Sequence, residues 1–280
     1  MRHPIGTTMH HDTRPVAFFD SGVGGLPYLG AARALLPAER YVYLADRRGF
    51  PYGTKSRGEV VEAAVGAIAS LVSMTSPKAI VVACNTATEL AIDEIRAANP
   101  GIPVVGTVPA IKPAAAVSKA RRIGVVATPA AVAAEYLSDL ARRWAADCAL
   151  VRIGDGALVD FVERAFIGSS QEERLAAVRP SVEAMLGQGV DAIVLGCTHF
   201  LHLAPEFREL AGPGVAIVDS RDGIASRLRS VLGQLPAEGR PYRPASLAAD
   251  AMYLTGPGEF GPVYGGFAEI FGLEPAGALE

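Results

Sequence analysis

The sequence predicts an α/β fold made of two similar halves, each with a mainly parallel sheet flanked by helices. Short β-branched runs such as VAFF, YVYL and KAIVVA alternate with longer Ala- and Leu-rich segments that are typical of helices. The runs are apolar throughout, as parallel strands are when helices cover both faces of their sheet. Beyond residue 103 the alternation begins again, and 280 residues are enough for one large domain or two medium ones.

The strands and helices follow one another in a regular order in each half. In the first half, strands are predicted at 16–19, 41–44 and 78–83, followed by helices that end at 36 or span 56–72 and 86–98. The second half has predicted strands at 121–127, 149–152, 191–196 and 216–220. Its helices are predicted at about 129–144 and 200–210, with a further pair before residue 191 and one more after residue 220. This order favours βαβ connections, which join parallel strands.

The overall charge gives the chain no attraction for polyanions. Its formal net charge is -3 and its pI is near 6.0, whereas binding to phosphates needs clustered Lys and Arg. The uninterrupted apolar runs are far shorter than the roughly 20 residues that cross a bilayer. We therefore expect neither nucleic acid nor a membrane as a partner.

The N-terminus and the cysteine content favour a cytoplasmic location. Residues 1–15 lack the apolar core of a secretory signal and are expected to form a mobile extension. The three cysteines are an odd number at distant positions, so they do not form a disulfide framework and they fit a reducing compartment.

Two cysteines end predicted strands at equivalent places in the two halves. KAIVVACNT at 78–86 and DAIVLGCTH at 191–199 form a weak internal repeat that contains Cys84 and Cys197. Ligands of open α/β sheets bind beyond the carboxyl ends of the strands, so the two thiols can converge if the halves face each other. Free cysteine often only fills core space, but a following helix N-terminus favours a thiolate at both positions. Cys148 lacks this setting and is predicted to be a core residue.

Two further loops follow predicted strands. Residues 20–25, Asp-Ser-Gly-Val-Gly-Gly, can present backbone N–H groups to a carboxylate, although a plain tight turn is an equally good interpretation. Residues 46–53 contain an acid, two arginines and a Pro-Tyr-Gly turn. The arginines are expected in solvent, whereas Tyr52 and Gly53 can offer a hydroxyl group and backbone amides from a rigid turn.

The segment Cys197-Thr-His199 contains two residue types that also bind zinc. A structural zinc ion needs four ligands, but three of the five histidines lie within the first fifteen residues and the chain has no CxxC pair. A metal site is therefore disfavoured. A hydrolytic Cys–His nucleophile is a stronger alternative, but it gives Cys84 no role.

Four segments resemble the signature segments of glutamate racemases and occur in the same order. They are FDSGVGGL at 19–26, PYG at 51–53, ACNTAT at 83–88 and GCTHF at 196–200, and the similarity extends from Val16 to the C-terminal FAEIFG. The resemblance implies two pseudosymmetric α/β domains with the active site in the cleft between them. The first domain would comprise residues 16–108 and 216–280, and the second residues 109–215.

The resemblance also implies an activity, the interconversion of L-glutamate and D-glutamate without a cofactor, which supplies D-glutamate for peptidoglycan. In that family the cysteine matching Cys84 takes the proton from D-glutamate and the one matching Cys197 takes it from L-glutamate, with Asp20 and His199 as their respective helpers. A homodimer is implied as well. The implied substrate contacts are Asp20, Ser21, Tyr52, Gly53, Asn85, Thr86, Thr198 and His199, with Thr128 as a further candidate.

The chain departs from the family pattern at two positions. Arg47 stands where the family commonly has Thr, and Ala131 lies near the place of a second Thr, so some polar contacts are expected to be rearranged. A third point stays open, because the carboxylate that supports the second cysteine motif in relatives matches either Asp155 or Glu163.

Two other functions remain as alternatives. One is an aspartate racemase or a broader amino-acid racemase of the same superfamily, although aspartate racemases typically carry Glu where this chain has His199. The other is a non-catalytic binding module for a small acid. Exchange of the α-proton in deuterated water would distinguish an enzyme from a binding module.

Overall fold

The computed structural model describes residues 12–235 and 250–280. The strands in chain order are β1 (Val16–Asp20), β2 (Tyr41–Ala45), β3 (Ala79–Val82), β4 (Val104–Gly106), β5 (Arg122–Ala127), β6 (Ala149–Gly154), β7 (Ala192–Leu195), β8 (Ala216–Val218), β9 (Ala251–Thr255) and β10 (Glu274–Leu279). The helices are α1 (Leu26–Leu35), α2 (Arg57–Thr75), α3 (Asn85–Ala98), α4 (Ile111–Val117), α5 (Pro129–Ala133), α6 (Glu135–Trp144), α7 (Ala157–Arg164), α8 (Gln171–Leu186), α9 (Ala204–Ala211), α10 (Arg221–Leu232) and α11 (Gly261–Ile270). Short 3₁₀ helices span Tyr52–Thr54 and Thr198–Leu203.

These strands form two sheets. The first sheet has six strands in the order β10-β9-β2-β1-β3-β4, and the second has four in the order β6-β5-β7-β8. Every strand pair in the described sheets is parallel. The predicted α/β class with two mainly parallel, helix-flanked sheets is therefore confirmed.

The carboxyl ends of neighbouring strands meet at one edge of the first sheet. β1 pairs with β2 from Val16 opposite Tyr41 to Asp20 opposite Ala45, and it pairs with β3 from Val16 opposite Ala79. All five residues of β1 are buried, which agrees with its apolar sequence and leaves Asp20 as a buried carboxyl group at a strand end. The loops after β1 and β3 therefore begin side by side.

The chain passes from the first sheet to the second after β4 and returns after β8. The helix α4, which follows β4, packs against α6 and against β7 of the second sheet. β8 pairs with β7, with Ala216 opposite Ala192, so residues 216–218 belong to the second sheet. The predicted return at residue 216 is therefore too early, because a short apolar run has the same pattern in either sheet. The first domain resumes with α10, which packs against α1.

Apolar patterning missed several elements. The predicted helix at 129–144 is two helices, α5 and α6, which are separated by Ala134. The backbone of Ala134 is extended, but neither neighbouring residue is Gly or Pro, so the sequence gives no sign of the break. β9, α11 and β10 were not predicted. β10 is almost entirely exposed and contains Pro and Gly, which are depleted in strands.

α2 is long and apolar enough to cross a membrane, judged by length and composition alone. It begins with a capping box in which Ser56 and Glu59 satisfy each other's backbone N–H groups. Its buried side contributes Val60, Ile68 and Leu71 to the apolar core of the first domain. One side of this helix therefore packs on the apolar core of the first domain.

Residues 12–15 lie against the first domain. The Lys78 Nζ donates to the carbonyl of Asp12 at 2.8 Å, and the Lys78 backbone N–H donates to the carbonyl of Pro15 at 3.0 Å. This part of the predicted N-terminal extension is therefore attached to the domain. Residues 1–11, the rest of that extension, lie outside the described residues.

Candidate active site

The two cysteines at the strand ends line one cleft between the sheets, with a volume of about 270 Å³. Cys84 is 4 % exposed and Cys197 is 8 % exposed, so the cleft shields both thiols from bulk water. Asp20 is fully buried next to Ser21 in the wall. The other predicted contacts that line the cleft are Ser21, Tyr52, Gly53, Asn85, Thr86, Thr128, Thr198 and His199.

β3 and β7 position the two thiols in the same way. β3 ends at Val82 and β7 ends at Leu195, each two residues before a cysteine. Cys84 has an extended backbone and precedes α3, and Cys197 has an extended backbone and precedes a 3₁₀ helix. Both thiols therefore lie where helical N–H groups have no partner within the helix, as the internal repeat predicted.

Asp20 is the acidic group beside Cys84. Its carboxylate accepts hydrogen bonds from the backbone N–H groups of Ser21 at 2.8 Å and Gly25 at 2.7 Å. Thr198 Oγ1 donates to the same carboxylate at 3.4 Å from the second domain. Burial raises the pKa of Asp20 to about 6, so this carboxyl group can exchange a proton near neutral pH.

The thiol of Cys84 is strongly held in its protonated form. Burial raises its pKa well above the usual value, and the negative charge of Asp20 raises it further. The Sγ atom lies 3.8 Å from Ser21 Oγ. Because the pKa of Asp20 is itself raised, its carboxylate can accept a proton from a neighbouring group such as this thiol.

Cys197 has a different partner, a His–Glu pair. Its Sγ lies 3.8 Å from Nδ1 of His199, and Nε2 of His199 lies 2.7 Å from Oε1 of Glu163. Glu163 Oε1 also accepts the backbone N–H of Val23 at 2.7 Å, and its Oε2 accepts the hydroxyl of Tyr264 at 3.2 Å. This carboxylate therefore joins α7 of the second domain to the loop after β1 and to α11.

His199 and Glu163 each stabilise the charged form of the other. Burial alone would lower the pKa of His199, but its hydrogen bonds to Cys197 and Glu163 and the negative charge of Glu163 raise that pKa well above the usual value. Burial likewise raises the pKa of Glu163, and the contact with His199 more than offsets this, so the net direction is down. The pair is thus an imidazolium and a carboxylate, which gives Cys197 a cationic hydrogen-bond donor.

The structure decides between the two candidate carboxylates of the second cysteine motif. Asp155 accepts from Ser181 Oγ at 2.6 Å and from the backbone N–H of Leu158 at 3.2 Å, which places it at the start of α7. Glu163 lies on α7 itself, about two turns beyond Asp155, and contacts His199 directly. Glu163 is therefore the supporting carboxylate.

The glycine-rich loop after β1 approaches the second domain closely. A Cβ atom on Gly22 would collide with the carboxylate of Glu163, and one on Gly24 would collide with Thr198 and His199. These glycines are needed because the loop packs against the groups that surround Cys197. The sequence suggested an anion-binding turn here, and the structure shows that domain contact also requires its glycines.

Asn85 connects the two cysteine loops. Its Nδ2 donates to the carbonyl of Gly196 at 2.6 Å. Asn85 directly follows Cys84 and Gly196 directly precedes Cys197, so this hydrogen bond joins the two loops. Its Oδ1 is buried and has no hydrogen-bond partner among the residues that the structure describes. A buried acceptor of this kind costs free energy until a donor reaches it, so the cleft offers a position for an N–H group of a ligand.

The hydroxyl of Tyr52 has a protein partner. It donates to Asp46 at 2.5 Å, and the same carboxylate accepts from Thr255 Oγ1 at 2.5 Å and from the backbone N–H of Gly49 at 3.1 Å. The single proton of the Tyr52 hydroxyl is therefore donated to Asp46. The predicted substrate contact of Tyr52 and Gly53 rests on the other atoms of this turn, which line the cleft.

Arg47 does not line the cleft, and it is not simply solvated as the sequence suggested. Its guanidinium donates to the carbonyls of Gly256 and Glu259, both at 3.0 Å, and to that of Pro257. Arg48 is exposed, as expected. The charged group that departs from the family pattern therefore binds the loop between β9 and α11.

One wall of the cleft is mainly apolar. The second domain contributes Pro129, Ala130, Ala131 and Val159, together with Asp160. Except for Ala131, these residues were not singled out from the sequence, and no motif marks them. Within 12–235 and 250–280, no three His, Cys, Asp or Glu side chains are grouped as a metal site requires.

Comparison with known proteins agrees with this geometry. The family model described as Asp/Glu/Hydantoin racemase matches residues 29–227. The glutamate racemase of Shewanella sp. (strain MR-7) is 42 % identical over 228 residues, 81 % of this chain and 82 % of that protein. The glutamate racemase of Treponema pallidum (strain Nichols) is 36 % identical over 265 residues, 94 % of this chain and 96 % of that protein. This chain belongs to the Asp/Glu racemase family.

Solved structures of the family share the fold of this racemase. The Escherichia coli glutamate racemase, solved with L-glutamate and the activator UDP-MurNAc-ala, has a TM-score of 0.85 and 32 % identity, and the match covers 95 % of this chain and 98 % of that one. The Thermus thermophilus glutamate racemase, solved with beta-chloro-D-alanine, has a TM-score of 0.70 and 31 % identity over 96 % of each chain. The enzyme class implied by the sequence motifs is therefore confirmed.

Proposed function

We propose that this racemase interconverts L-glutamate and D-glutamate, with Cys84 and Cys197 as the two acid/base groups. The observation that carries the proposal is that both thiols line one small cleft and that each has its own buried proton partner. Inversion at the α-carbon needs a base on one face and an acid on the other. Two thiols that exchange these roles after each turnover meet this need.

The proposed cycle from D-glutamate begins at Cys84. Asp20 accepts the thiol proton, and the resulting thiolate removes the α-proton from one face of the substrate. The thiol of Cys197 then delivers its proton to the opposite face, and His199 stabilises the thiolate that forms. After this turnover Asp20 still carries the proton that it accepted and Cys197 is a thiolate, so loss of the Asp20 proton to water and protonation of Cys197 from water complete the cycle. Reaction from L-glutamate follows the same steps in reverse.

The α-proton of an amino acid is a very weak acid, so the carbanion needs strong stabilisation. Hydroxyl, amide and loop N–H groups around the cleft provide donors for the substrate carboxylates, and the buried setting strengthens each contact. We assign the unpartnered Oδ1 of Asn85 to the α-ammonium group. Thr86 and Thr198 are the nearby hydroxyl residues beside the two cysteines.

Several features of the protein in the cell belong to the same proposal. The proposed chemistry uses side chains alone, so we infer that it needs no cofactor and no metal. The product D-glutamate would supply peptidoglycan synthesis, and we place the enzyme in the cytoplasm as a homodimer. Glutamate is the proposed partner because the matched relatives are glutamate racemases, and the net charge of -3 supports the exclusion of nucleic acid.

A racemisation assay tests the proposal. Purified protein treated with a chelator is given D- or L-glutamate and, in parallel, D- or L-aspartate, without pyridoxal phosphate or metal. We expect glutamate to racemise and aspartate to be a poor substrate, because polar partners at a fixed reach from the α-carbon discriminate by chain length.

Each alternative has its own outcome in this assay. Dependence on pyridoxal phosphate or a metal contradicts the proposed chemistry. Equal rates with aspartate indicate a broader amino-acid racemase. Binding of glutamate without α-proton exchange in deuterated water indicates a non-catalytic binding module.

A further inference from the structure

Glu163 is held by groups from both domains. Its Oε1 accepts two hydrogen bonds at 2.7 Å, one from the backbone of Val23 and one from His199. Within the described part of the chain, its Oε2 has one hydrogen-bond partner, the hydroxyl of Tyr264 at 3.2 Å. Each oxygen of a carboxylate can accept about two hydrogen bonds. His199 binds Oε1, so the orientation of Oε2 depends on its contact with Tyr264.

Tyr264 lies outside the cleft and comes from a part of the chain that returns to the first domain. It sits on the first turn of α11, after the loop at 256–260. Burial and the charge of Glu163 both raise the pKa of Tyr264, so its hydroxyl keeps its proton and can only donate it to the carboxylate. The residue therefore acts on Cys197 only through Glu163 and His199.

The loop before α11 has little conformational preference of its own. Gly256 and Gly258 have positive φ angles of 80° and 99°, a region in which glycine is favoured because it lacks a Cβ atom. Arg47 binds the carbonyl groups on both sides of this turn, at Gly256 and at Glu259. The guanidinium thereby fixes where α11 starts.

We propose that Tyr264 is a positioning residue for the proton transfers at Cys197, and that Arg47 supports it by holding the loop before α11. The contacts run without interruption from Arg47 to the loop, then through Tyr264, Glu163 and His199 to Cys197. The route from these residues to Cys84 is longer, because it passes from His199 Nδ1 to Thr198 Oγ1 at 3.5 Å and from there to the carboxylate of Asp20 at 3.4 Å. The inference rests on the proposed function and adds a role for the departure at residue 47.

Ordinary rates cannot isolate such a role. L- and D-glutamate have equal free energies, so kcat/KM is the same in both directions for every variant. Isotope effects do separate the two thiols, because the α-deuteron of L-glutamate is removed by Cys197 and that of D-glutamate by Cys84. A slower step at Cys197 raises the deuterium isotope effect on kcat/KM from L-glutamate and lowers it from D-glutamate.

The decisive variant is Tyr264→Phe, which removes only the hydroxyl group. We expect kcat/KM to fall by about ten-fold, as for a lost hydrogen bond to a charged group, with the opposite shifts of the two isotope effects described above. Tyr41→Phe is the matched control, because its hydroxyl donates to the carbonyls of Ala32 and Leu36 away from the cleft. Unchanged isotope effects in Tyr264→Phe, or equal changes for both enantiomers, would overturn the proposal.

The Arg47 part of the proposal has its own test. Arg47→Ala should shift the isotope effects in the same directions by a smaller amount, and combining it with Tyr264→Phe should add nothing, because both changes act through one contact. Additive losses, or isotope effects in Arg47→Ala that equal those of wild type, would remove Arg47 from the chain of contacts.

A measurement without substrate separates this inference from the proposed function. The ring N–H proton that His199 shares with Glu163 should give a shifted proton NMR signal, and Tyr264→Phe should move it whereas Tyr41→Phe should not. If wild-type protein fails to racemise glutamate, the proposed function is wrong while this signal still tests the contact. An unmoved signal contradicts the inference even if racemisation is observed.

Discussion

At the scale of single residues, two cysteines in similar loops have unlike proton partners. Cys84 lies beside Asp20, a carboxyl group whose pKa is raised by burial to about 6. Cys197 lies beside His199, which is held as a cation by Glu163. Cys84 therefore has a base as its neighbour and Cys197 has an acid. This difference suits removal of a proton on one face of a carbon and delivery of a proton on the other.

Replacing either thiol tests the two-base mechanism. Cys84→Ala and Cys197→Ala should each lower racemisation in both directions by about 10²- to 10⁴-fold, the usual contribution of a general acid or base, because every turnover needs both groups. Initial rates by polarimetry measure this loss. Cys148→Ala is the matched control, since Cys148 is only partly buried and does not line the cleft.

The same reaction in deuterated water provides a second measurement. With wild-type protein, early product should carry deuterium at the α-carbon while recovered substrate stays largely unlabelled, because the proton delivered differs from the proton removed. Label in both pools from the start would indicate a single base. Near wild-type activity in either cysteine variant would rule out the mechanism.

The titration of Asp20 predicts a pH dependence. Below a pH of about 6 the carboxyl group is protonated and cannot accept the proton of Cys84, so kcat/KM should fall as the pH drops through this value. The pKa of His199 is raised well above its usual value, so His199 stays protonated across this range and adds no step of its own. Initial rates between pH 5 and 8 measure the profile.

Asp20→Asn is the control for this assignment. The N–H groups of Ser21 and Gly25 bind different oxygens of Asp20, so Asn keeps an acceptor oxygen for one of them and has no titrating proton. We expect low activity without an inflection near pH 6. A profile that keeps the same inflection in this variant would assign it to another group.

At the scale of elements, the loop after β1 is the part that joins the two proton partners. Asp20 at its start serves the Cys84 side, and Val23 in its middle donates to Glu163 on the Cys197 side. The carbonyl of Val23 also lies 2.9 Å from Nε2 of His202. The backbone N–H and the backbone carbonyl of Val23 therefore both contact the second domain. A small displacement of this loop should therefore disturb both halves of the reaction.

Gly22→Ala tests the tight approach of this loop. The added Cβ atom would collide with Glu163, so we expect a loss of about 1–3 kcal/mol in the free energy of unfolding, typical of overpacking, and a fall in kcat. Denaturant unfolding and initial rates measure the two effects. Gly58→Ala on α2 is the control, because no atom lies within 4 Å of its added Cβ; equal behaviour of the two variants would contradict the close contact.

At the scale of the whole molecule, the two domains share one apolar core. The largest buried cluster includes Val16 and Phe18 of β1 together with Ile193, Leu195 and Phe200 around the second cysteine loop. Burying apolar area across the boundary favours a closed arrangement of the domains. Polar contacts such as the one from Asn85 to Gly196 then set the relative position of the two cysteine loops.

The sequence alone determined the fold class, the two cysteine loops and most of the cleft wall. Strand–helix alternation depends on local apolar patterning, and the strand ends meet at one sheet edge whatever the details of packing. The resemblance of the motifs to those of glutamate racemases implied Ser21, Asn85 and Thr198 before any contact was known, and all three line the cleft.

Only the tertiary structure decided which distant groups complete the site. The sequence could not choose between Asp155 and Glu163. Glu163 completes the site because the loop after β1 and His199 pack against it, whereas Asp155 precedes α7 and contacts Ser181. The guanidinium of Arg47 and the hydroxyl of Tyr264 act across more than 200 and about 100 residues respectively, in contacts with Glu259 and Glu163. Patterning records the neighbours of a residue along the chain, whereas the partners of a buried charge depend on how whole elements pack.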